Sequence, residues 1–190
     1  GKRRVNNMSE EQEWRKEANA FDFVVEKRES KLAVGLTELG NTVKTMGLTP
    51  TPAGDCVFRL SKGHYVGIEI KTADDFINAW LRRKPKCKER CRFCDHKYCT
   101  RLRSQMSRML TNFQTTVLMI AGWYGEEDGQ LVTANRKRSV SWQALWNTLM
   151  YWQEKGVILY FASDIKHVPG CINALRGALV RRTIKKLIKE

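Results

Sequence analysis

The sequence predicts an α/β fold in which a mixed central β-sheet is flanked by helices. Helical periodicity alternates with short apolar runs along the 190 residues, which is the pattern of a layered α/β protein. Residues 115–123 and 157–161 are apolar throughout, as in strands that are covered on both faces. Residues 56–60 and 65–71 flank a Gly-containing turn, which predicts an antiparallel hairpin and therefore a mixed sheet.

The other elements follow from caps, periodicity and chain breakers. A helix is predicted over residues 8–20, where Ser9 and Gln12 fit a capping box, and an apolar, β-branched run predicts a strand over 21–26. Ser30 begins a second helix, whose apolar residues recur at steps of three and four as far as Met46. The remaining predicted elements are helices at 73–81, 101–113, 141–155 and 172–188, a turn at 124–129 and a basic loop at 135–138.

The chain is strongly basic, with 34 Lys and Arg against 20 Asp and Glu and a formal net charge of +14. This charge favours a polyanionic partner, nucleic acid before a membrane surface. No run approaches the roughly 18 apolar residues of a membrane span, and no apolar stretch follows the charged N-terminus as in a signal peptide. We predict a helical extension, 1–20, and one domain, 21–190, that contains a cysteine-rich insertion at 82–100.

Acidic residues and a lysine cluster around the predicted hairpin. Glu69 and Lys71 are two residues apart on one strand, so they share a face. Asp55 precedes the partner strand, and Glu29 and Asp75 are further acids nearby in the predicted fold. Carboxylates on one face attract Mg²⁺ or Mn²⁺, and a lysine can steer water and offset phosphate charge. The combination predicts a metal-dependent phosphodiesterase site.

The two acids meet only in one register of the hairpin. If Leu60 pairs with His64 around a three-residue loop, Asp55 lies opposite Glu69, and Gly63 is the left-handed loop residue. A two-residue loop would shift the pairing by one residue and turn Asp55 away. We predict the three-residue loop because the chemistry requires the two acids together.

Four of the six cysteines lie within thirteen residues. Such clustering is more typical of a metal site in a reducing, intracellular compartment than of a disulfide framework. Structural Zn²⁺ takes four ligands of this kind, whereas an iron–sulfur cluster or reduced thiols would also be consistent with the spacing. We predict structural zinc on Cys87, Cys91, Cys94 and Cys99, with His96 as an alternative ligand.

Basic residues surround these cysteines and predict a DNA-binding surface, because Lys and Arg contact phosphates. A solvated run of charge is the alternative. The residues are Arg82, Arg83, Lys84, Lys86, Lys88, Arg90, Arg92, Lys97, Arg101 and Arg103.

Four short motifs occur in a characteristic order. They are Glu26-Lys27-Arg28-Glu29, Gly54-Asp55, Glu69-Ile70-Lys71 followed by Asp75, and Arg101-Leu102-Arg103-Ser104-Gln105. In this order they resemble the nuclease domain of XPF-type structure-specific endonucleases, within the PD-(D/E)XK superfamily. The resemblance implies a restriction-endonuclease-like fold, dependence on Mg²⁺ or Mn²⁺, and cleavage of branched, flap or fork DNA. It also implies association with a second copy or a related chain.

The resemblance implies roles for individual residues. Asp55, Glu69 and Lys71 would form the catalytic centre, and Asp55 and Glu69 would bind the metal with support from Glu29 and Asp75.

Three further positions complete the implied site. Glu26 would replace the first acid of the family pattern, usually Asp, as a metal ligand. Arg28 would lie beside the scissile phosphate, and Gln105 would face the site from its helix. Ile70 departs from the family pattern, which has Arg in the middle of its Glu-Arg-Lys.

Two other functions compete with an active nuclease. One is an inactive relative that binds branched DNA or a partner subunit and carries a zinc knuckle. The other is a zinc-dependent RNA-binding module, which would leave the acids unexplained. Repair, recombination, mobile-element processing and viral genome processing are all compatible with the sequence.

Overall fold

The computed structural model describes residues 10–49, 53–81 and 99–187. The helices are α1 (Glu10–Ala20), α2 (Ser30–Glu38), α3 (Ala73–Leu81), α4 (Arg101–Asn112), α5 (Trp142–Glu154) and α6 (Val168–Leu187). The strands are β1 (Phe23–Glu26), β2 (Val43–Met46), β3 (Cys56–Ser61), β4 (His64–Thr72), β5 (Thr115–Ala121), β6 (Tyr124–Glu127), β7 (Gln130–Thr133), β8 (Lys137–Ser141) and β9 (Val157–Ala162).

Six strands form the central sheet in the order β2-β1-β3-β4-β5-β9. β3 is antiparallel to both β1 and β4, whereas the β1–β2, β4–β5 and β5–β9 pairs are parallel. The sheet is therefore mixed, and helices cover both of its faces, as the sequence predicts. β3 runs antiparallel to its neighbour β4 because a tight hairpin turn connects the two strands, and such a turn reverses the chain direction.

Two apolar cores lie on opposite faces of this sheet. One joins α1, α3, α4 and α5 through residues such as Trp14, Phe76, Met106 and Leu145. The other joins α2 and α6, with Ile172 at its centre. Among the helices of the described ranges, none combines the length and apolar character that crossing a membrane requires.

The two apolar strand runs differ in their environment. β5 lies between β4 and β9 and is almost wholly buried, as predicted, although it ends at Ala121 and leaves Trp123 exposed. β9 lies at the edge of the sheet, and its Ile158, Tyr160 and Phe161 are 36%, 40% and 51% exposed. Coverage on both faces is therefore a wrong prediction for β9, because an edge strand lies at the margin of the helical layers.

The second helix is shorter than predicted. It ends at Glu38, and the last part of the predicted helix is β2, parallel to β1. The Asn41 amide donates to the Leu36 carbonyl at the helix end, at 2.9 Å. The Thr42 N–H and hydroxyl then donate to the Asp22 carboxylate, both at 2.9 Å, which aligns the chain beside β1. These polar contacts outweigh the apolar periodicity.

A second, three-stranded antiparallel sheet, β6-β7-β8, takes up most of the predicted turn at 124–129 and the second half of the predicted basic loop at 135–138, whose residues 135 and 136 do lie in a loop. The turn is confined to Asp128 and Gly129. The strands were missed because they are short and partly polar. Their polar groups have partners: Thr133 and buried Arg138 both bond to Asp74 on α3.

Candidate active site

The hairpin β3–β4 brings the two predicted acids together. Cys56 pairs with Ile68 at the last paired position of the hairpin, so Asp55 and Glu69 are the next residues on the two strands. The Asp55 N–H still donates to the Ile68 carbonyl, at 2.8 Å, and the Asp55 carboxyl lies close enough to Glu69 for the charge of Glu69 to raise its pKa. The predicted juxtaposition of Asp55 and Glu69 is therefore present.

The turn produces this register in an unexpected way. The predicted pairing of Leu60 with His64 is wrong, because Ser61 pairs with His64 around a two-residue turn. A β-bulge between Arg59 and Ser61 then shifts the register by one residue and restores the pairing that the acids need. Gly63 has a φ of 74°, so it is left-handed as predicted.

Glu69 is held by two donors at one oxygen. Its Oε1 accepts from Lys71 Nζ at 2.8 Å and from Gln105 Nε2 at 2.9 Å. Glu69 and Lys71 are buried on the same face of β4, under α4, which carries Gln105. The shared face and the inward position of Gln105 agree with the sequence.

Asp55 is half-buried and lies beside a second negative charge. Its Oδ2 accepts the N–H of Ile70 at 2.8 Å. Burial and the charge of Glu69 raise the pKa of Asp55 to about 8, Glu29 adds to this, and the Ile70 hydrogen bond and Lys71 oppose it. Two opposed carboxylates present hard oxygen ligands whose mutual repulsion a divalent cation would relieve. This donor set fits Mg²⁺ or Mn²⁺.

Glu26 ends β1 and is only 2% exposed. Its Oε2 accepts the N–H of Leu48 at 2.6 Å and the N–H of Thr49 at 2.9 Å, and its Oε1 lies 3.5 Å from Arg28 Nε. Burial alone would raise the pKa of Glu26, but the two amide bonds and Arg28 lower it. One carboxylate oxygen of Glu26 is therefore engaged in hydrogen bonds to backbone N–H groups.

The acids line one open cleft of about 520 Å³. The predicted residues that line it are Glu26, Arg28, Glu29, Asp55, Glu69, Lys71, Asp75, Arg101 and Gln105. Asp75 lies in the first turn of α3, where its carboxylate accepts a hydrogen bond from the Thr72 hydroxyl at 2.8 Å. Within the described ranges, however, no three acidic, His or Cys side chains are already arranged to hold a metal ion.

Two solved structures share this architecture. XPF from Aeropyrum pernix is 19% identical, with a TM-score of 0.54 over 88% of this chain and 67% of that chain. The same protein in complex with DNA is 20% identical, with a TM-score of 0.53 over 86% of this chain and 65% of that chain. The chain has an XPF-like fold. It spans about two thirds of the length of these XPF chains. By sequence, neither a family model nor a curated protein matches it.

The cleft of this XPF-like fold contains residues that the sequence did not single out. Asn78 projects from α3, and Arg108 projects from α4. Arg108 follows Arg101 by seven residues and Gln105 by three, so these three share one helix face. That spacing could have identified Arg108. Arg103 lies outside the cleft, with its guanidinium over the ring of Tyr151.

Of the predicted zinc ligands, the structure describes Cys99 alone, buried at the start of α4, with its thiol 3.4 Å from the Thr100 carbonyl. The other predictions for the insertion fall outside the described residues. They are the ligands Cys87, Cys91, Cys94 and His96, and the basic residues Arg82, Arg83, Lys84, Lys86, Lys88, Arg90, Arg92 and Lys97. Zinc binding therefore stays a prediction.

Proposed function

We propose that this chain is a divalent-metal-dependent endonuclease that hydrolyses phosphodiester bonds in DNA at branches, flaps or forks. The observation that carries the proposal is the proximity of the Asp55 and Glu69 carboxyl groups at the end of the hairpin, with Lys71 in contact with Glu69. A cleft opens over these three residues. The net charge of +14 and the XPF-like fold, solved for the Aeropyrum pernix protein with DNA, support DNA as the substrate.

Asp55 and Glu69 would hold the cation, with Glu29 and Asp75 available from the cleft wall. A bound Mg²⁺ or Mn²⁺ would polarise the scissile phosphate and lower the pKa of an attacking water. The acids themselves contribute a rigid frame, because Ile70 N–H fixes Asp55 and Gln105 fixes Glu69.

Lys71 and the cleft arginines supply positive charge. The Lys71 ammonium can orient the attacking water or offset the charge that develops on the phosphate. Arg28, Arg101 and Arg108 line the same cleft and can contact phosphates on either side of the cleaved bond. The side chain of Arg28 is 67% exposed, so it can reach a strand that enters from solvent.

A second candidate is an inactive XPF-like subunit that binds DNA or a partner chain. It is favoured by the pairing of Glu69 Oε1 with both Lys71 and Gln105, which would then be a structural ion pair. Ile70, in place of the Arg of the family pattern, also removes a positive charge from the site.

The test uses labelled duplex, single-stranded, 3′-flap, fork and four-way DNA with Mg²⁺, Mn²⁺ or EDTA. The wild type is compared with Asp55→Asn and Lys71→Met, and Asp128→Asn is the control because Asp128 lies in an exposed turn. We expect metal-dependent cleavage of branched forms that only the two cleft variants abolish. Binding without cleavage, unchanged in both cleft variants, would favour the inactive subunit.

A further inference from the structure

We infer that Glu26 is a positioning residue that fixes the approach to Asp55 rather than a ligand of the metal. The approach segment comprises residues 48–49 and 53–55, on which the place of Asp55 depends. The consequence for metal binding rests on the proposed function, whereas the anchoring contacts stand without it.

Glu26 fixes both ends of this approach segment. Its backbone N–H donates to the Asp55 carbonyl at 2.9 Å. Its carboxylate receives the N–H groups of Leu48 and Thr49. Leu48 is fully buried, and its carbonyl accepts the Ala53 N–H at 2.8 Å. One residue therefore joins the start and the end of the approach segment.

The approach segment needs such an anchor because its backbone is unusual. Ala53 has a φ of 75°, which is unfavourable for a residue with a Cβ. Gly54 follows with a φ of 95°, and a Cβ there would lie 3.1 Å from the Ile68 carbonyl oxygen. Two consecutive left-handed residues persist only where surrounding contacts hold them. The bonds from Glu26 are contacts of this kind.

Two conservative substitutions of Glu26 distinguish an anchor from a metal ligand, because each role predicts that a different one of them is better tolerated. Glu26→Gln keeps an oxygen at the same reach, so an anchor survives, whereas a metal ligand loses its charge. Glu26→Asp keeps the charge, but its carboxylate is withdrawn by about 1.5 Å. A ligand would tolerate the Asp variant better, and an anchor would tolerate the Gln variant better.

The experiment uses the full chain and two readouts. The first is amide hydrogen exchange at Leu48 and Thr49 in EDTA, which does not involve metal or cleavage. The second is Mn²⁺ affinity by titration calorimetry. The variants are Glu26→Gln, Glu26→Asp and Glu26→Ala, and Glu127→Gln is a control because Glu127 forms an exposed ion pair with Lys137.

We expect Glu26→Gln to retain amide protection and nearly wild-type Mn²⁺ affinity. In Glu26→Asp and Glu26→Ala, the two amides should exchange at least about tenfold faster, because both N–H groups lose their acceptor. The affinity for Mn²⁺ should fall in the same two variants. The inference is overturned if Glu26→Asp keeps Mn²⁺ affinity while Glu26→Gln loses it, or if amide exchange is the same in all variants. If the wild type neither binds Mn²⁺ nor cuts DNA, the proposed function is wrong. The exchange rates at Leu48 and Thr49 alone then test whether Glu26 anchors the approach segment.

Discussion

Lys71 Nζ lies 2.8 Å from Glu69 Oε1, and both side chains are buried on one face of β4. Each ion loses hydration on burial, so removing one partner leaves the other charge uncompensated. A cation bound beside Glu69 would supply that compensation in place of the ammonium. The ion pair therefore links the stability of the fold to the occupancy of the proposed metal site.

We expect Lys71→Met to lower the free energy of unfolding by about 3 kcal/mol in EDTA, because Glu69 is left as a buried charge. The loss should be smaller in Mg²⁺, which binds the folded state. Urea unfolding with and without Mg²⁺ measures both values, and Lys62→Met in the exposed turn is the control. Equal losses in EDTA and Mg²⁺ would argue against a cation at Glu69.

Arg108→Ala should weaken DNA binding without changing its preference among DNA structures. Arg108 lines the cleft beside Gln105, where, under the proposed function, its guanidinium would contact phosphate and not base. Loss of one phosphate contact should reduce the slope of log affinity against log salt by about 1. Fluorescence anisotropy in EDTA at several salt concentrations measures this slope. Arg182→Ala is the control, since Arg182 is exposed on α6, and an equal effect there would contradict a specific role for Arg108.

Arg138→Met should destabilise the fold far more than Lys137→Met, although the residues are adjacent on β8. Buried Arg138 bonds to Asp74 and Asn78 of α3, and its removal should cost about 3 kcal/mol. Lys137 pairs with exposed acids and should contribute at most about 1 kcal/mol. Urea unfolding of both variants checks the difference. Similar losses would mean that the small sheet does not brace α3.

The ionisation of Asp22 should make the free energy of unfolding depend on pH in the acidic range. The Thr42 N–H is the main cause that lowers the pKa of Asp22 below its ordinary value of 3.8, with help from the Thr42 hydroxyl and Arg176, although burial opposes them. Because the pKa is lower in the folded state, ionised Asp22 stabilises the fold above pH 3.8, and this contribution disappears as pH falls through the folded-state pKa. Asp22→Asn should therefore flatten the stability curve below that pH. Thermal unfolding across acidic pH checks this, and curves parallel to wild type would contradict it.

The predicted zinc site on the cysteine-rich insertion can be tested through the number of zinc ions bound per chain. Purified protein should contain one zinc per chain, and Cys99→Ser should release it, since a tetrahedral site loses a ligand. Cys171→Ser is the matched control because Cys171 lies on α6 and is not one of the predicted ligands. Elemental analysis measures zinc, and it also detects the iron of an iron–sulfur cluster. Zinc that is unchanged in Cys99→Ser would remove Cys99 from the ligand set.

Local patterns predicted the strands of the candidate site well. Glu69 and Lys71 share a face because strand geometry alternates, and Thr72 and Asp75 mark the start of α3 because capping is local. The sequence missed β2 because Thr42 is held by Asp22, twenty residues away. It missed the small sheet for the same reason, since Arg138 is explained only by Asp74 on another element. Long-range polar pairs leave little trace in local periodicity.

The sequence also placed Glu26 among the metal ligands, where its geometry favours another role. The motif predicts an acid at this position but not its role. The role of Glu26 depends on the N–H groups of Leu48 and Thr49, which approach its carboxylate only in the folded chain. Arg108 was overlooked for a different reason. One more arginine in a chain with 34 basic residues is conspicuous only once its helix face is known to border the cleft.

The bulge between Arg59 and Ser61 separates the outer end of the hairpin from its inner end. The two-residue turn between Ser61 and His64 and the pairing of Arg59 with Tyr65 belong to different registers. The bulge accommodates the one residue by which they differ. A change in the length of the outer turn can therefore be offset at the bulge, without moving the strand residues that lie beyond it. The tip of the hairpin and the position of Asp55 and Glu69 are in this sense structurally independent.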